Sequence, residues 1–202
     1  MADEYQMWIG GEWAPSESRA VFDATSPSTG EVLGSVPEGT RADAQRAIDA
    51  ASVAWTSWAA ASPFDRAKVM EQVAHIIGDR RVDLARTLTL DQGKPLRAEA
   101  YDEVEELIAY FEMAAADARR MEGTLAPSVD ADKRVLLYRV PRGVVSVISP
   151  WNWPYTMPGR SWLRPWRTAT AWCGRRPPPR RSARSSWPSA WPTPACLPAC
   201  ST

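Results

Sequence analysis

The sequence changes character after Gly159. Residues 160–202 contain no Val, Ile, Phe, Tyr, Asp or Glu, but eight prolines, eight arginines and five tryptophans. Such a segment buries too little aliphatic surface to offset the cost of ordering its backbone, about 1–2 kcal/mol per residue. Residues 1–159 are therefore the part that can build a packed core, and we predict a disordered tail over residues 160–202.

The formal neutrality of the chain conceals the same division. All 24 acidic residues lie at or before Asp132, whereas eight of the 24 basic residues follow Gly159, so the two parts carry net charges of −8 and +8. Overall neutrality favours neither nucleic acid nor membrane as a partner. The chain opens on acidic residues, and no apolar run reaches the about 18 residues that span a bilayer. We therefore expect a cytoplasmic protein.

No metal site is predicted. The cysteines Cys173, Cys196 and Cys200 lie in the tail without the paired spacing of zinc ligands, and the only histidine, His75, is distant from them in sequence. A disulfide framework has no support either. A group of acidic residues is predicted to be the solvated face of a helix, because neighbours in sequence diverge around a helix. The group comprises Glu99, Asp102, Glu103, Glu105 and Glu106.

Three interpretations of the tail compete. A basic arm with interleaved tryptophans can bind nucleic acid through phosphate contacts and base stacking. A proline-rich segment can also be a linker to a partner. We favour a third interpretation, translation of a GC-rich gene in the wrong frame. Residues 160–167 can be written as codons that, moved by one nucleotide, spell Glu-Ile-Val-Ala-Pro-Ala-Leu-Ala, and the same shift lets residues 171–174 yield a Val-Val-Trp strand.

The first part of the sequence alternates strand and helix signals. A Gly-Gly turn in residues 7–13 predicts a small hairpin, and a strand is predicted at residues 31–36. Apolar positions three and four residues apart predict helices over residues 42–60, 63–77, 82–90 and 96–121. Their ends carry an N-cap at Thr40, a first-turn proline at Pro63 and a Gly-Lys-Pro stop at residues 93–95.

Two strands are then predicted at residues 135–140 and 144–148, on either side of a Pro-Arg-Gly turn. The second strand shows little alternation, which favours a strand covered on both faces in a parallel α/β sheet, although a buried helix stays possible. It leads into an aromatic loop locked by proline on either side of Asn152, the one carboxamide in the loop. Without further information, the flanking tryptophans are more often anchors than ligand contacts, and Asn152 is a turn residue bonded to its own backbone.

These residues carry a family resemblance. The sequence Pro-Trp-Asn-Trp-Pro at 150–154, after Pro-Arg-Gly-Val-Val at 141–145, resembles the aldehyde dehydrogenase superfamily, whose loop reads Pro-Trp-Asn-Phe/Trp-Pro after a Pro-x-Gly-Val strand. Supporting matches upstream occur in the family's order: residues 9–13, residues 27–31, Trp58 with Arg66, and Gln-Gly-Lys-Pro at 92–95. The resemblance implies an α/β fold, with residues 1–159 as the N-terminal part of an incomplete Rossmann-like NAD(P)-binding domain.

The resemblance also implies an activity, the oxidation of a small-molecule aldehyde to a carboxylic acid with NAD or NADP through a cysteine thiohemiacetal. Asn152 is implied as the donor that stabilises the oxyanion. Ile148, Ser149, Pro150 and Trp151 are implied to line the nucleotide site, which suits the carboxyl end of a strand. No Gly-x-Gly-x-x-Gly supports that site independently. A homo-oligomer is expected, while the aldehyde and the choice of NAD or NADP stay open.

The sequence departs from the family's pattern in the tail. The family's nucleophilic cysteine lies far downstream of its asparagine, and Cys173 lacks the expected neighbours. No acidic residue after Asp132 is available as the general base, and the lysine that contacts the nucleotide ribose is missing. We therefore predict that the 202-residue chain is catalytically incomplete. The alternative is a non-catalytic basic protein that binds nucleic acid through its Arg/Trp tail.

Overall fold

A computed structural model describes residues 3–167 and 171–175. Strands and helices alternate along them, as an α/β fold requires. The strands are β1 (Asp3–Glu4), β2 (Met7–Ile9), β3 (Glu12–Ala14), β4 (Val21–Thr25), β5 (Val32–Pro37), β6 (Thr124–Ala126), β7 (Val135–Leu137), β8 (Val144–Ile148) and β9 (Ala171–Arg175). The α-helices are α1 (Arg41–Ala60), α2 (Pro63–Asp79), α3 (Arg81–Gln92), α4 (Tyr101–Arg119) and α5 (Thr156–Arg167).

The predicted end signals at Thr40, Pro63 and Gly93 are confirmed. Thr40 caps α1 in a reciprocal pair of hydrogen bonds with Asp43, and Ser62 caps α2 immediately before Pro63. Gly93 ends α3 in the left-handed conformation, with a φ of 71°. The single helix predicted over residues 96–121 instead begins as a π-helical turn, Leu96–Ala100, and continues as α4 to Arg119.

Two small sheets form the N-terminal region. The predicted hairpin is β2 paired antiparallel with β3, and both turn residues, Gly10 and Gly11, have positive φ as a tight two-residue hairpin requires. Trp8 and Trp13 pair across it with ring centroids 4.8 Å apart. The second sheet has the order β1-β5-β4, in which β5 is the predicted strand. Neither β1 nor β4 is predicted from the sequence.

The hydrophobic core lies among the helices. Helix α4 packs against α2, α3 and α5, and it presents Val104, Leu107 and Phe111 to the core with no exposed surface. Met70 of α2 and Leu88 of α3 are equally buried. Each such side chain contributes about 1.5–3 kcal/mol of burial free energy.

The unit that positions the loop of Asn152 is β8, α5 and β9. Strand β8 pairs parallel with β9, and α5 makes the crossover between them. The parallel strand is confirmed at residues 144–148, and the buried helix is excluded. Alternate side chains of β8 point to opposite faces, and the described residues cover only one of these faces, so the prediction of coverage on both is not met among them. The described residues cover Val147, which is 8% exposed, but leave Ser146 exposed and Ile148 67% exposed.

The other predicted strand has a different partner. It is shorter than predicted, since β7 ends at Leu137, and it pairs antiparallel with β6. The turn that follows places Gly143 at a φ of 87°, immediately before β8. The β6–β7 ribbon leaves Leu125, Leu136 and Leu137 more than half exposed.

The predicted boundary at Gly159 falls inside α5. The helix continues to Arg167, and β9 occupies Ala171–Arg175, so thirteen residues of the predicted tail belong to regular elements. The rest of that tail, residues 168–170 and 176–202, lies outside the described residues. In the described part of the chain, no helix combines the length and the apolar character needed to cross a membrane.

Candidate active site

The strand-exit loop, residues 149–155, joins the carboxyl end of β8 to the start of α5. This is the edge of a parallel sheet at which α/β proteins hold their ligands. Asn152 lies in this loop and is exposed. Its carboxamide has no hydrogen-bond partner among the described residues, so the expectation that it bonds its own backbone is not met.

Gln92, the last residue of α3, holds the loop immediately before Asn152. Its side-chain amide Nε2 donates a hydrogen bond of 2.7 Å to the backbone carbonyl oxygen of Trp151. From the sequence, residues 92–95 are predicted to end a helix and to match the family's pattern, with no contact to the loop. The helix end is confirmed at Gly93, but the same turn also reaches a loop 59 residues further along the chain.

Lys94 holds the loop immediately after Asn152. Its ammonium nitrogen Nζ lies 4.0 Å from the centroid of the Trp153 ring, a cation–π contact. The same nitrogen donates to Glu103 Oε2 at 2.6 Å. The Lys94 side chain is 11% exposed and that of Glu103 is 0% exposed, so this ion pair is largely withdrawn from water.

Glu103 corrects the prediction of a solvated acidic face. Its neighbours Glu99, Asp102 and Glu105 are exposed, but Glu103 is fully buried. The sequence contained the signal, because Glu103 precedes Leu107 by four residues and Phe111 by eight, and both belong to the apolar stripe of α4. Grouping these carboxylates by charge alone therefore places Glu103 on the wrong face.

The second oxygen of Glu103 binds the start of α5. Oε1 accepts hydrogen bonds from the backbone N–H groups of Tyr155, at 2.8 Å, and Thr156, at 3.4 Å. These N–H groups belong to the first turn of a helix, where no intrahelical acceptor is available and a negative charge is favourable. The Tyr155 hydroxyl also donates to the carbonyl oxygen of Leu84 in α3, at 3.2 Å. Helices α3 and α4 together therefore fix the end of the loop.

The residues implied to bind a nucleotide differ in accessibility. Ile148 is 67% exposed and Trp151 is 50% exposed, while Pro150 is also exposed. An aliphatic side chain and an indole at a strand end offer a surface on which a flat heteroaromatic ring can stack, which fits a nicotinamide dinucleotide. Ser149 is only 6% exposed.

Metal-binding side chains and cysteines are the remaining candidate components of the site. Among the residues that the structure describes, no three His, Cys, Asp or Glu side chains are placed to hold a metal ion. The backbone of Cys173 lies in β9, and Cys196 and Cys200 lie outside the described residues.

A parallel strand, a helical crossover and an open carboxamide at the strand end define the class, an α/β protein with its site at the sheet edge. The model of the aldehyde dehydrogenase family matches residues 13–166. Because this match covers most of the sequence, the chain belongs to the aldehyde dehydrogenase family. The predicted fold, part of an aldehyde dehydrogenase α/β domain, is thereby confirmed.

Similar proteins show the same family and the extent of the match. The chain is 37% identical to the glutarate-semialdehyde dehydrogenase of Pseudomonas putida over 152 residues, which are 75% of this chain and 32% of that protein. It is 38% identical to the NADP+-dependent succinate-semialdehyde dehydrogenase GabD of Escherichia coli, again over 75% of this chain and 31% of that one. The chain thus spans about a third of the length of these curated relatives.

A solved structure agrees with the sequence comparisons. The succinate-semialdehyde dehydrogenase of Burkholderia pseudomallei superposes with a TM-score of 0.81 and 35% identity, covering 85% of this chain and 36% of that one.

Proposed function

We propose that this chain carries the oxyanion-stabilising part of an enzyme that oxidises an aldehyde to a carboxylic acid with NAD or NADP. In this proposal, the Asn152 carboxamide donates an N–H to the aldehyde oxygen as a nucleophile attacks the carbonyl carbon. Losing such a donor typically raises the barrier by about 2.7–4 kcal/mol. The observation that carries the proposal is the exposed Asn152 amide without a partner in the described residues, at the carboxyl end of β8.

The cofactor part of the proposal rests on Ile148, Ser149, Pro150 and Trp151. When bound, a nicotinamide dinucleotide supplies the acceptor for the hydride of the aldehyde. Ile148 and Trp151 present apolar surface to such a molecule, and Ser149 and Pro150 shape the strand end beneath it. The relatives support both cofactors, because the Escherichia coli protein is named as NADP+-dependent and a similar solved structure, from Sinorhizobium meliloti, as NAD-dependent.

The chain is also proposed to be catalytically incomplete. Oxidation through a thiohemiacetal needs a thiol beside the amide and a base for the hydrolytic step, and no acidic residue follows Asp132. We attribute the unusual composition after Gly159 to translation in a shifted frame. The family match ends at residue 166, so residues 167–202 lie outside it. No observation on the described residues favours the alternative of a nucleic-acid-binding tail.

The experiment combines DNA sequencing with an assay. The encoding DNA, read one nucleotide over after the Gly159 codon, should continue as an open aldehyde dehydrogenase frame that contains a cysteine codon. The 202-residue chain should not reduce NAD+ or NADP+ with propanal or succinic semialdehyde, whereas the protein from the restored frame should. Turnover by the 202-residue chain refutes incompleteness, and a closed shifted frame refutes the account of the tail.

The remaining expectations concern the partners and the location. A homo-oligomer is proposed for the intact enzyme, and the half-exposed leucines of the β6–β7 ribbon, Leu125, Leu136 and Leu137, give it apolar surface to bury. Sedimentation of the restored protein tests this, since a monomer at all concentrations would contradict it. A cytoplasmic location and an absence of nucleic-acid or membrane partners stay predictions.

A further inference from the structure

We infer that Gln92, Lys94 and Glu103 are positioning residues that hold Asn152 in place. They are called the loop clamp below. The inference rests on the proposed function, in which the Asn152 amide must be aimed at one point in space. A donor stabilises an oxyanion only when its position is fixed before the charge develops.

The contacts of the loop clamp surround Asn152 along the backbone. Gln92 binds the carbonyl oxygen of the residue before Asn152, and Lys94 lies over the ring of the residue after it. Glu103 binds the backbone N–H three residues after Asn152. Both sides of Asn152 are thus held, while its own side chain is left without a partner in the described structure.

The burial of the Glu103 carboxylate is not explained by stability alone. A fully buried carboxylate contributes little net stability even when paired, because its desolvation offsets the attraction to its partner. Glu103 has both oxygens occupied, one by the Lys94 ammonium and one by the first amides of α5. An apolar residue at this position would extend the stripe of α4 but would leave the loop and Lys94 without an acceptor. Fixing the loop is therefore the role that the geometry gives to this carboxylate.

The test measures the mobility of the loop in the 202-residue chain by ¹⁵N relaxation. In the wild type, the backbone order parameter of Asn152 should be about 0.85, the value of rigid backbone. Gln92→Ala and Lys94→Met should each lower it below about 0.6, the range of flexible backbone, while the order parameters within α4 stay unchanged. Lys94→Arg keeps the positive charge and should restore most of the order that Lys94→Met loses.

The matched control is the exposed ion pair of Arg81 and Glu105. It also links α3 to α4, with a distance of 2.6 Å between Arg81 Nη1 and Glu105 Oε1, but it does not contact the loop. Arg81→Ala should leave the order parameter of Asn152 unchanged. Gln92 is only partly buried, so its variant keeps the inference testable where Glu103→Ala fails to fold.

Two results overturn the inference. Either Asn152 is already flexible in the wild type, or it stays rigid in both Gln92→Ala and Lys94→Met. Whether Asn152 donates to an oxyanion is tested separately, by the rate of an active enzyme. A rigid, clamp-dependent loop with a catalytically silent Asn152 would instead refute the proposed function and leave the loop clamp standing.

Discussion

Gly159 of α5 lies so close to Leu107 of α4 that a Cβ atom at residue 159 would overlap the Leu107 Cδ1 atom. Leu107 is fully buried. Because residue 159 has no side chain, α5, which follows the strand-exit loop, can approach α4, which carries Glu103.

Gly159→Ala should consequently destabilise the protein. The extra methyl group overpacks the α4–α5 contact, at a cost of about 1–3 kcal/mol in the free energy of unfolding, measured by urea denaturation. In a Leu107→Ala background, where space has been created, the added cost should largely vanish. An equal cost in both backgrounds would show that the two residues are not coupled.

The matched control is Gly78→Ala in α2. A Cβ at residue 78 would meet only Ile108 Cδ1, at 4.0 Å, which is ordinary contact. Because alanine is the better helix former, this variant should stabilise the protein by about 0.5–1 kcal/mol. A loss of stability at this position would contradict the comparison.

Asp43 should be more important for stability than its position in a helix cap suggests. It is 3% exposed and accepts hydrogen bonds from Ser16 Oγ at 2.9 Å and from the Thr40 N–H at 2.8 Å. In Asp43→Asn, an amide NH₂ replaces one acceptor opposite these donors, so we expect a loss of about 1.5–3 kcal/mol in the free energy of unfolding. The measurement is urea denaturation near neutral pH.

Asp65 provides the control for that variant. It occupies the corresponding position in α2 and binds Ser62, but its side chain is 62% exposed. Asp65→Asn should therefore change the stability clearly less than Asp43→Asn. Equal losses in the free energy of unfolding for the two variants would mean that the burial of Asp43 does not increase its contribution to stability.

The same aspartate predicts a dependence of stability on pH. Burial acts to raise the pKa of Asp43, but the hydrogen bonds from the Thr40 backbone, Arg46, Ser16 and the Glu17 backbone outweigh it, and the pKa is held well below its ordinary value. A carboxyl whose pKa is lower in the folded state stabilises the protein above its unfolded pKa, about 3.9. This contribution is lost as the pH falls from about 4 towards the folded pKa.

We therefore expect the free energy of unfolding to decline below pH ~4, and to decline less steeply in Asp43→Asn. Urea denaturation at several acidic pH values measures both slopes. Parallel slopes for the wild type and the variant would contradict the assignment to Asp43.

Much of the fold follows from local signals in the sequence. The Thr40 cap, Pro63 in the first turn of α2, the Gly93 helix end and the Gly-Gly hairpin each depend on residues a few positions apart, and the structure has all of them. Strand β8 was located from its apolar run alone. The pairing of strands was not predictable in this way. Strand β7 pairs with β6 across a polar loop, and that loop carries no signal of register.

The candidate site was predicted only in part for the same reason. The motif that contains Asn152 was recognisable, but the residues that hold it come from the end of α3, the turn after it and α4, 49 to 60 positions earlier in the sequence. Gln92 was explained by the end of a helix, so its contact with Trp151 was not predicted. Glu103 was concealed by the charged residues around it, although its spacing from Leu107 placed it on the buried face.

The most direct test of the proposed function is the rate of aldehyde oxidation after Asn152→Ala. The variant is made in the protein from the restored frame, or, where that frame is closed, in a chimera that carries residues 13–159 in the glutarate-semialdehyde dehydrogenase of Pseudomonas putida. We expect kcat to fall about 10²–10³-fold, as for the loss of one oxyanion donor. A kcat unchanged by Asn152→Ala would contradict the role of this amide.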